Sequence, residues 1–172
     1  MPKENLCWGG WDVKPPKEYF DELFRVSERQ IIWGGNYFSD FLPPSKSFVV
    51  WDKRLQNEWS NDFADCEYAW CSNGCGVARM FRFVWMGMLQ GNMKEKEERF
   101  HPTQKPVALY EWLLTNYAKP GDKILDTHVG SASSLIACEN MGFQYVGFEI
   151  DKEYYDLGVE RLEKNRRQIK LF

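Results

Sequence analysis

The sequence predicts one α/β domain whose last third belongs to a parallel sheet with helices on its faces, and three observations support this fold class. The chain has 172 residues, a length typical of a single domain. Hydrophobic residues make up 44% of it and charged residues 27%, a composition that favours a packed core over disorder. The last third alternates strand-like and helical segments, which is the pattern of βαβ units.

The elements of the first hundred residues are short and are separated by polar, irregular segments. A helix is predicted directly after two prolines, because apolar residues recur there at helical spacing. Short apolar runs bounded by Gly, Pro and Asn are typical of strands. The predicted elements are a helix over 17–27 and strands over 30–33, 47–51, 66–70 and 79–85, followed by a charged loop to about residue 100.

Stronger signals define the elements of the last third. Pro106 begins an amphipathic helix over 107–118, and the Lys-Pro-Gly-Asp segment after it ends that helix. The remaining predicted elements are a strand over 123–126, a turn over 127–131, a helix over 133–141, a strand over 145–150 and a helix over 153–168.

The composition argues against several classes of protein. No run of about 18 apolar residues is present, so we expect no membrane-spanning segment. The first ten residues lack the apolar core of a secretion signal, so the five cysteines are interpreted as reduced thiols of a cytoplasmic protein. The formal net charge of −3 argues against a protein that coats nucleic acid.

Two segments are nevertheless locally basic. Residues 79–105 carry six Lys or Arg against three Glu, and residues 161–172 carry five basic residues against one Glu. Either segment can bind phosphates. A more common reason for such basic segments is a solvent-exposed face or, for residues 161–172, a helix end whose cations complement the helix dipole. The candidate nucleic-acid contacts are three arginines and one aromatic residue: Arg79, Arg82, Arg99 and Trp59.

The turn after the strand over 123–126 is placed to bind a ligand, because ligands of open α/β sheets bind beyond the carboxyl ends of strands. Asp126 ends this strand, and Glu149 ends the next strand 23 residues later, where an acid can accept hydrogen bonds from a ribose. The G-x-G-x-x-G pattern is absent, since Gly130 is the turn's one glycine. A nucleoside cofactor without phosphates, such as S-adenosylmethionine (SAM), therefore fits better than NAD, and a turn without a ligand is the alternative.

The segment His101–Pro106, with the sequence H-P-T-Q-K-P, resembles the H-P-[TA]-[QE]-K-P signature of DNA methyltransferases that act on amino groups, the N6-adenine/N4-cytosine group. Residues 126–134 resemble the family's D-[PT]-x-x-G-S-[GA]-[ST] loop, and residues 148–151 resemble its ribose-binding strand end. The catalytic-half elements of small phage and prophage members are similar to residues 19–27, 31–38 and 49–53. The likeness extends from about Trp11 to the C-terminus.

This resemblance implies a Rossmann-like SAM-dependent methyltransferase sheet with helices on both faces. It divides one domain into a catalytic half (1–53), a DNA-facing insertion (54–100) and a SAM-binding half (101–172). The implied reaction is methyl transfer from SAM to an exocyclic amine of a flipped DNA base, adenine N6 first and cytosine N4 second, in restriction-modification. The implied SAM-binding residues are Thr103, Gln104, Lys105, Asp126, Thr127, His128, Gly130, Ser131 and Glu149.

The family's [DNS]-P-P-[YFW] tetrapeptide, which binds the target amine and stacks on the base, is not found in this sequence. The nearest candidate is N-L-C-W, so the candidate catalytic residues are Asn5 and Trp8. Only four residues precede Asn5, fewer than the usual strand of about 5–6 residues. We therefore expect the sheet to lack an N-terminal strand and the isolated chain to transfer methyl groups poorly.

Two other functions stay open. One is a non-catalytic relic that binds DNA or SAM. The other is a half-enzyme completed by a second copy of this chain or by a partner chain that supplies the strand. The spacing of Cys66, Cys71 and Cys75 does not provide the second ligand pair of a structural zinc site, so free thiols are predicted and no metal.

Overall fold

The computed structural model describes residues 13–54, 64–86, 89–94 and 96–169. Its helices are α1 (Lys17–Val26), α2 (Val107–Tyr117), α3 (Ser133–Met141) and α4 (Lys152–Ile169). Its strands are β1 (Ile31–Trp33), β2 (Ser47–Asp52), β3 (Cys66–Cys71), β4 (Arg79–Arg82), β5 (Trp85–Met86), β6 (Leu89–Gln90), β7 (Lys123–Asp126) and β8 (Gln144–Gly147). The predicted site residues Asn5, Trp8 and Trp59 lie outside the described residues.

The larger sheet has the strand order β1-β3-β2-β4. Strand β3 runs antiparallel to β1 and β2, whereas β2 and β4 are parallel. Consequently β1, β2 and β4 end on the side of the sheet where β3 begins, and we call this side the carboxyl side. Trp51 near the end of β2 lies opposite Glu67 near the start of β3, which fixes the register there.

Helices cover both faces of this sheet, as predicted. On one face, Phe20 of α1 packs with Leu42 and Trp70, and the three side chains are buried. On the other face, Val49 packs with Leu113 of α2. Alternate residues of a strand point to opposite faces of the sheet. The neighbouring β3 residues Ala69 and Trp70 therefore pack in the two different cores.

Strands β7 and β8 form a separate parallel pair, and α3 connects them, which confirms the predicted βαβ unit. The predicted bounds of β7 and α3 are those of the structure. Strand β8 ends three residues before the predicted end at Ile150. Beyond β8, the carboxylate of Glu149 accepts the backbone N–H groups of Gly130 and Asp151.

The prediction of one strand over 79–85 was wrong. Strand β4 stops at Arg82, and Trp85 belongs to a hairpin formed by β5 and β6. Trp85 leaves the sheet and becomes buried with Trp51 and Leu109 of α2. Its indole N–H also donates to the carbonyl of Gln104 (2.8 Å), so a tertiary contact ends the strand.

Candidate functional site

The turn after β7, residues 126–133, is closed by the carboxylate of Asp126. This carboxylate accepts the backbone N–H of His128 (2.9 Å) and the hydroxyl of Ser134 in the first turn of α3. Gly130 has a φ of +52°, a left-handed conformation that suits glycine. Asp126 therefore stabilises the turn through bonds within the protein. A direct contact from Asp126 to SAM stays a prediction.

Glu149 joins the 126–133 turn to the end of β8. Its Oε2 accepts the backbone N–H of Gly130 (2.7 Å), and its Oε1 accepts the N–H of Asp151 (2.9 Å). Hydrogen bonds to a carboxylate are among the stronger ones in proteins, so its orientation is well fixed. Each oxygen keeps lone pairs for further donors, and the side chain is only partly buried. The structure thus joins two of the predicted SAM-binding residues, Gly130 and Glu149, by a hydrogen bond that the sequence did not predict, and their contacts to SAM stay predictions.

The segment His101–Pro106 lies against this turn. A Cβ atom built on Gly130 would lie 3.3 Å from the His101 ring, so the glycine permits the close approach. The ring also packs edge-on against Tyr154 of α4, with 4.3 Å between ring centroids. Burial lowers the pKa of His101 and so favours the neutral imidazole. The exposed Thr103 hydroxyl lies 3.2 Å from Nδ1 of His101.

Two further predicted residues use their side chains inside the protein. The amide of the buried Gln104 accepts the N–H of Phe100 (3.3 Å) and donates to the carbonyl of Glu98 (2.9 Å). The hydroxyl of the buried Ser131 lies 3.0 Å from that of Ser133. Both residues therefore shape the loops, and direct contacts from them to a cofactor stay predictions.

Tyr19 of α1 contacts the turn and was not among the predicted site residues. Its hydroxyl lies 2.7 Å from Oγ1 of Thr127, and its ring packs edge-on against His128 at 5.5 Å between centroids. The Thr127 hydroxyl also lies 3.1 Å from Nδ1 of His128. Burial raises the pKa of Tyr19, so its hydroxyl is protonated at neutral pH. From the sequence, the helical spacing of Tyr19 predicted only that the residue packs in the core.

Arg161 of α4 supports the turn from the opposite side. Its guanidinium donates to the carbonyl of Ser131 (2.7 Å) and the hydroxyl of Ser133 (2.8 Å), and it pairs with Glu97 (2.5 Å). The side chain is 16% exposed. The sequence placed Arg161 in the basic segment 161–172, a candidate for phosphate binding. In the structure, its guanidinium stabilises the turn. Arg166 of the same tail pairs with two glutamates of the chain.

The three candidate DNA-contacting arginines occupy different places. Arg82 ends β4 on the carboxyl side, where its exposed side chain lies 3.5 Å from Asp52. Arg99 lies over the ring of Trp85, 5.4 Å from its centroid. Arg79 begins β4 and so lies about 10 Å from Arg82, towards the opposite side of the sheet.

The described cysteines, potential metal ligands and helices bear on three further predictions. The cysteines of the described part of the chain, Cys66, Cys71, Cys75 and Cys138, are free thiols. Within that part, no group of three His, Cys, Asp or Glu residues is arranged to hold a metal ion. None of the described helices is long and apolar enough to cross a membrane.

A family of known proteins matches most of the chain, including the residues that form this site. The profile of the DNA methylase family of N6 and N4 type matches residues 36–160. The chain belongs to this family. The matched range includes β2 to β8, and it contains both the 126–133 turn and the His101–Pro106 segment.

Curated relatives match segments of this methylase-family chain. Type II methyltransferase M2.DpnII of Streptococcus pneumoniae is 36% identical over 85 residues, 49% of this chain and 31% of that protein. M.HpaI of Haemophilus parainfluenzae is 40% identical over 68 residues, 40% of this chain and 22% of that protein. The chain thus matches less than a third of the length of these two relatives.

Solved structures support the methyltransferase fold. The M1.HpyAVI–SAM complex superposes with a TM-score of 0.58 at 22% identity, covering 86% of this chain and 84% of that chain. The putative DNA modification methylase TTHA0409 of Thermus thermophilus superposes with a TM-score of 0.53 at 16% identity, covering 87% of this chain and 75% of that chain.

Replacing Tyr19 by Phe tests the contact between α1 and the turn. The variant keeps the ring and removes the hydroxyl that bonds Thr127, a loss worth about 0.5–1.5 kcal/mol. We expect the free energy of unfolding in urea to fall by this amount. Tyr37→Phe is the matched control, because Tyr37 is 74% exposed and should show no change. Equal stabilities of the two variants would contradict the assignment.

Proposed function

We propose that this chain binds SAM at the 126–133 turn and takes part in methylation of an exocyclic amine of DNA, with adenine N6 as the preferred target and cytosine N4 as the second. The observation that carries the proposal is the Glu149 carboxylate, which two backbone N–H groups orient beside Gly130. A carboxylate held in this way can accept both hydroxyls of a ribose. Membership in the N6 and N4 methylase family supports the reaction class.

The residues around the turn fit a nucleoside whose aromatic base packs its face against an apolar side chain. Ile150 follows Glu149 directly and is 92% exposed, so it presents an apolar surface beside the ribose-binding carboxylate. His101 is favoured in its neutral form, because burial lowers its pKa, and it lies against Gly130 on the other side. Bound SAM supplies the reactive methyl group. The chain's own residues orient the nucleoside, and direct contacts from Thr103, Thr127 and His128 belong to the same proposal. Lys105 contributes indirectly, because its ammonium group pairs with Glu67 (3.1 Å) and lies over the Trp33 ring.

A second candidate function is a half-enzyme that a partner chain or a second copy completes. It is favoured by the face of β7 and β8 opposite α3, where Leu125, Val146 and Phe148 are 37%, 55% and 59% exposed. In the described part of the chain, no helix covers this face. Both strands have unpaired edges among the described residues, and such edges can accept another strand.

Replacing Glu149 by Ala tests the cofactor site. Loss of a charge-assisted partner of ribose costs about 1.5–3 kcal/mol, so we expect SAM affinity to fall about 10–150-fold. Isothermal titration calorimetry measures this change. Glu153→Ala is the matched control, since Glu153 is an exposed acid four residues away on α4. Absence of SAM binding by the wild-type chain would refute the cofactor assignment.

Salt dependence of DNA binding tests the basic contacts. The slope of log binding constant against log salt concentration reports the number of phosphate contacts. If Arg82 and Arg99 each contact one phosphate, replacing both by Gln should reduce the magnitude of this slope by about 1.8 for duplex DNA. Arg79→Gln should change the slope little, because Arg79 lies towards the other side of the sheet. Fluorescence anisotropy at several salt concentrations gives the slopes. An unchanged slope in the double variant would indicate that Arg82 and Arg99 lie on a solvent-exposed face that does not contact DNA.

Methyl transfer tests whether the chain is complete as an enzyme. The chain has no [DNS]-P-P-[YFW] sequence, and loss of one preorganised hydrogen-bond partner costs about 10²–10³ in rate. We expect counts near background when tritiated SAM is incubated with mixed-sequence DNA. Turnover that Asn5→Ala and Trp8→Ala both abolish would instead make these residues the catalytic pair. Turnover that neither variant affects would place catalysis elsewhere in the chain.

A further inference from the structure

A half-buried ion cluster, formed by Lys53, Glu67 and Lys105, lies on the carboxyl side of the larger sheet. The Glu67 carboxylate pairs with Nζ of Lys105 (3.1 Å) through one oxygen and with Nζ of Lys53 (3.2 Å) through the other. Both lysine side chains are 14% exposed, and Glu67 is 34% exposed. The cluster is therefore partly shielded from water, where ion pairs are stronger than at the surface.

The surroundings of the cluster fix its charge and geometry. Burial by itself would raise the pKa of Glu67, but the charges of Lys105 and Lys53 outweigh it and hold this pKa below its usual value. The ammonium group of Lys105 also lies over the Trp33 ring, 5.4 Å from its centroid. Burial and the negative charges of Asp126 and Glu67 raise the pKa of Tyr110 of α2, whose hydroxyl stays protonated. Glu67 is thus ionised at neutral pH.

The cluster connects the first half of the chain to the His101–Pro106 segment. Glu67 belongs to β3, whereas Lys105 is the fifth residue of that segment. At the other end of the segment, His101 packs against Gly130. The segment is therefore held on the turn by its first residue and on the sheet by Lys105.

We propose that Glu67 is a positioning residue for SAM binding: it holds Lys105, and with it the His101–Pro106 segment, against the 126–133 turn. This inference rests on the proposed function. Glu67 does not touch the cofactor in this proposal. It acts by fixing the distance between the larger sheet and the turn, so that a loss of its charge loosens the segment and weakens SAM binding.

Two substitutions at Glu67 separate charge from shape. Glu67→Gln keeps the size of the side chain and removes the charge, whereas Glu67→Asp keeps the charge and shortens the side chain. We expect calorimetry to show about tenfold weaker SAM binding for Glu67→Gln and a smaller loss for Glu67→Asp. A packing role would give the opposite order, and this order would overturn the proposal.

Lys105→Met tests whether Glu67 acts through Lys105. Residues that form one ion pair are not additive, so the Glu67→Gln/Lys105→Met double variant should bind SAM no more weakly than the weaker single variant. Fully additive losses would overturn the proposal. Asp21→Asn is the matched control, because it breaks an exposed pair with Lys17 (2.6 Å) and should leave SAM affinity within about twofold.

Hydrogen exchange of the cofactor-free protein tests the positioning without SAM. The segment's four backbone amides, those of His101, Thr103, Gln104 and Lys105, should exchange about tenfold faster in Glu67→Gln than in the wild type, and at the wild-type rate in Asp21→Asn. Unchanged exchange in Glu67→Gln would overturn the positioning role. If the wild type binds no SAM but the exchange rates change as expected, the proposed function fails while the structural coupling of the segment stands.

Discussion

The geometry of the candidate site depends on one carboxylate, that of Glu149, and on its two backbone hydrogen bonds. By accepting the N–H groups of Gly130 and Asp151, it ties the turn after β7 to the end of β8. Because both donors belong to the backbone, the position of the acid is set by the parallel pairing of the two strands rather than by flexible side chains. The left-handed Gly130 then leaves room for the His101 ring. Glu149, the proposed ribose acceptor, and the His101–Pro106 segment are thus placed by the same few contacts.

Both halves of the chain hold this turn. Tyr19 of α1 bonds Thr127 from the first half, and Arg161 of α4 bonds the carbonyl of Ser131 from the second. Since Arg161 also pairs with Glu97, the loop before the His101–Pro106 segment is fixed to the same point. A nucleoside bound here would therefore meet a surface whose shape depends on α1, α4 and this loop together. This shared support is consistent with cofactor binding that responds to changes far from the turn, as inferred for Glu67.

Local patterns were sufficient to predict β7, α3 and the places of Gly130 and Glu149 beyond the two strands, because each follows from neighbouring residues or from the spacing of a βαβ unit. Tertiary contacts decided the rest. Trp85 continues an apolar run in sequence, yet it leaves the sheet to be buried against α2. Tyr19 has the spacing of a core residue, and Arg161 stands in a basic tail, although both support the turn. Such roles depend on partners more than 20 residues away, which periodicity does not reveal.

The apolar pattern of β7 and β8 bears on the choice between a half-enzyme that a partner completes and a non-catalytic relic. Ile124 and Tyr145 pack beneath α3, while their neighbours Leu125 and Val146 point to the opposite, exposed face. Strands with apolar residues on both faces are typical of parallel sheets covered on both sides, as α1 and α2 cover the larger sheet. Phe148 extends the same exposed surface beyond β8. The pattern therefore favours a methyltransferase that is completed by further polypeptide over a relic that merely retains the cofactor turn.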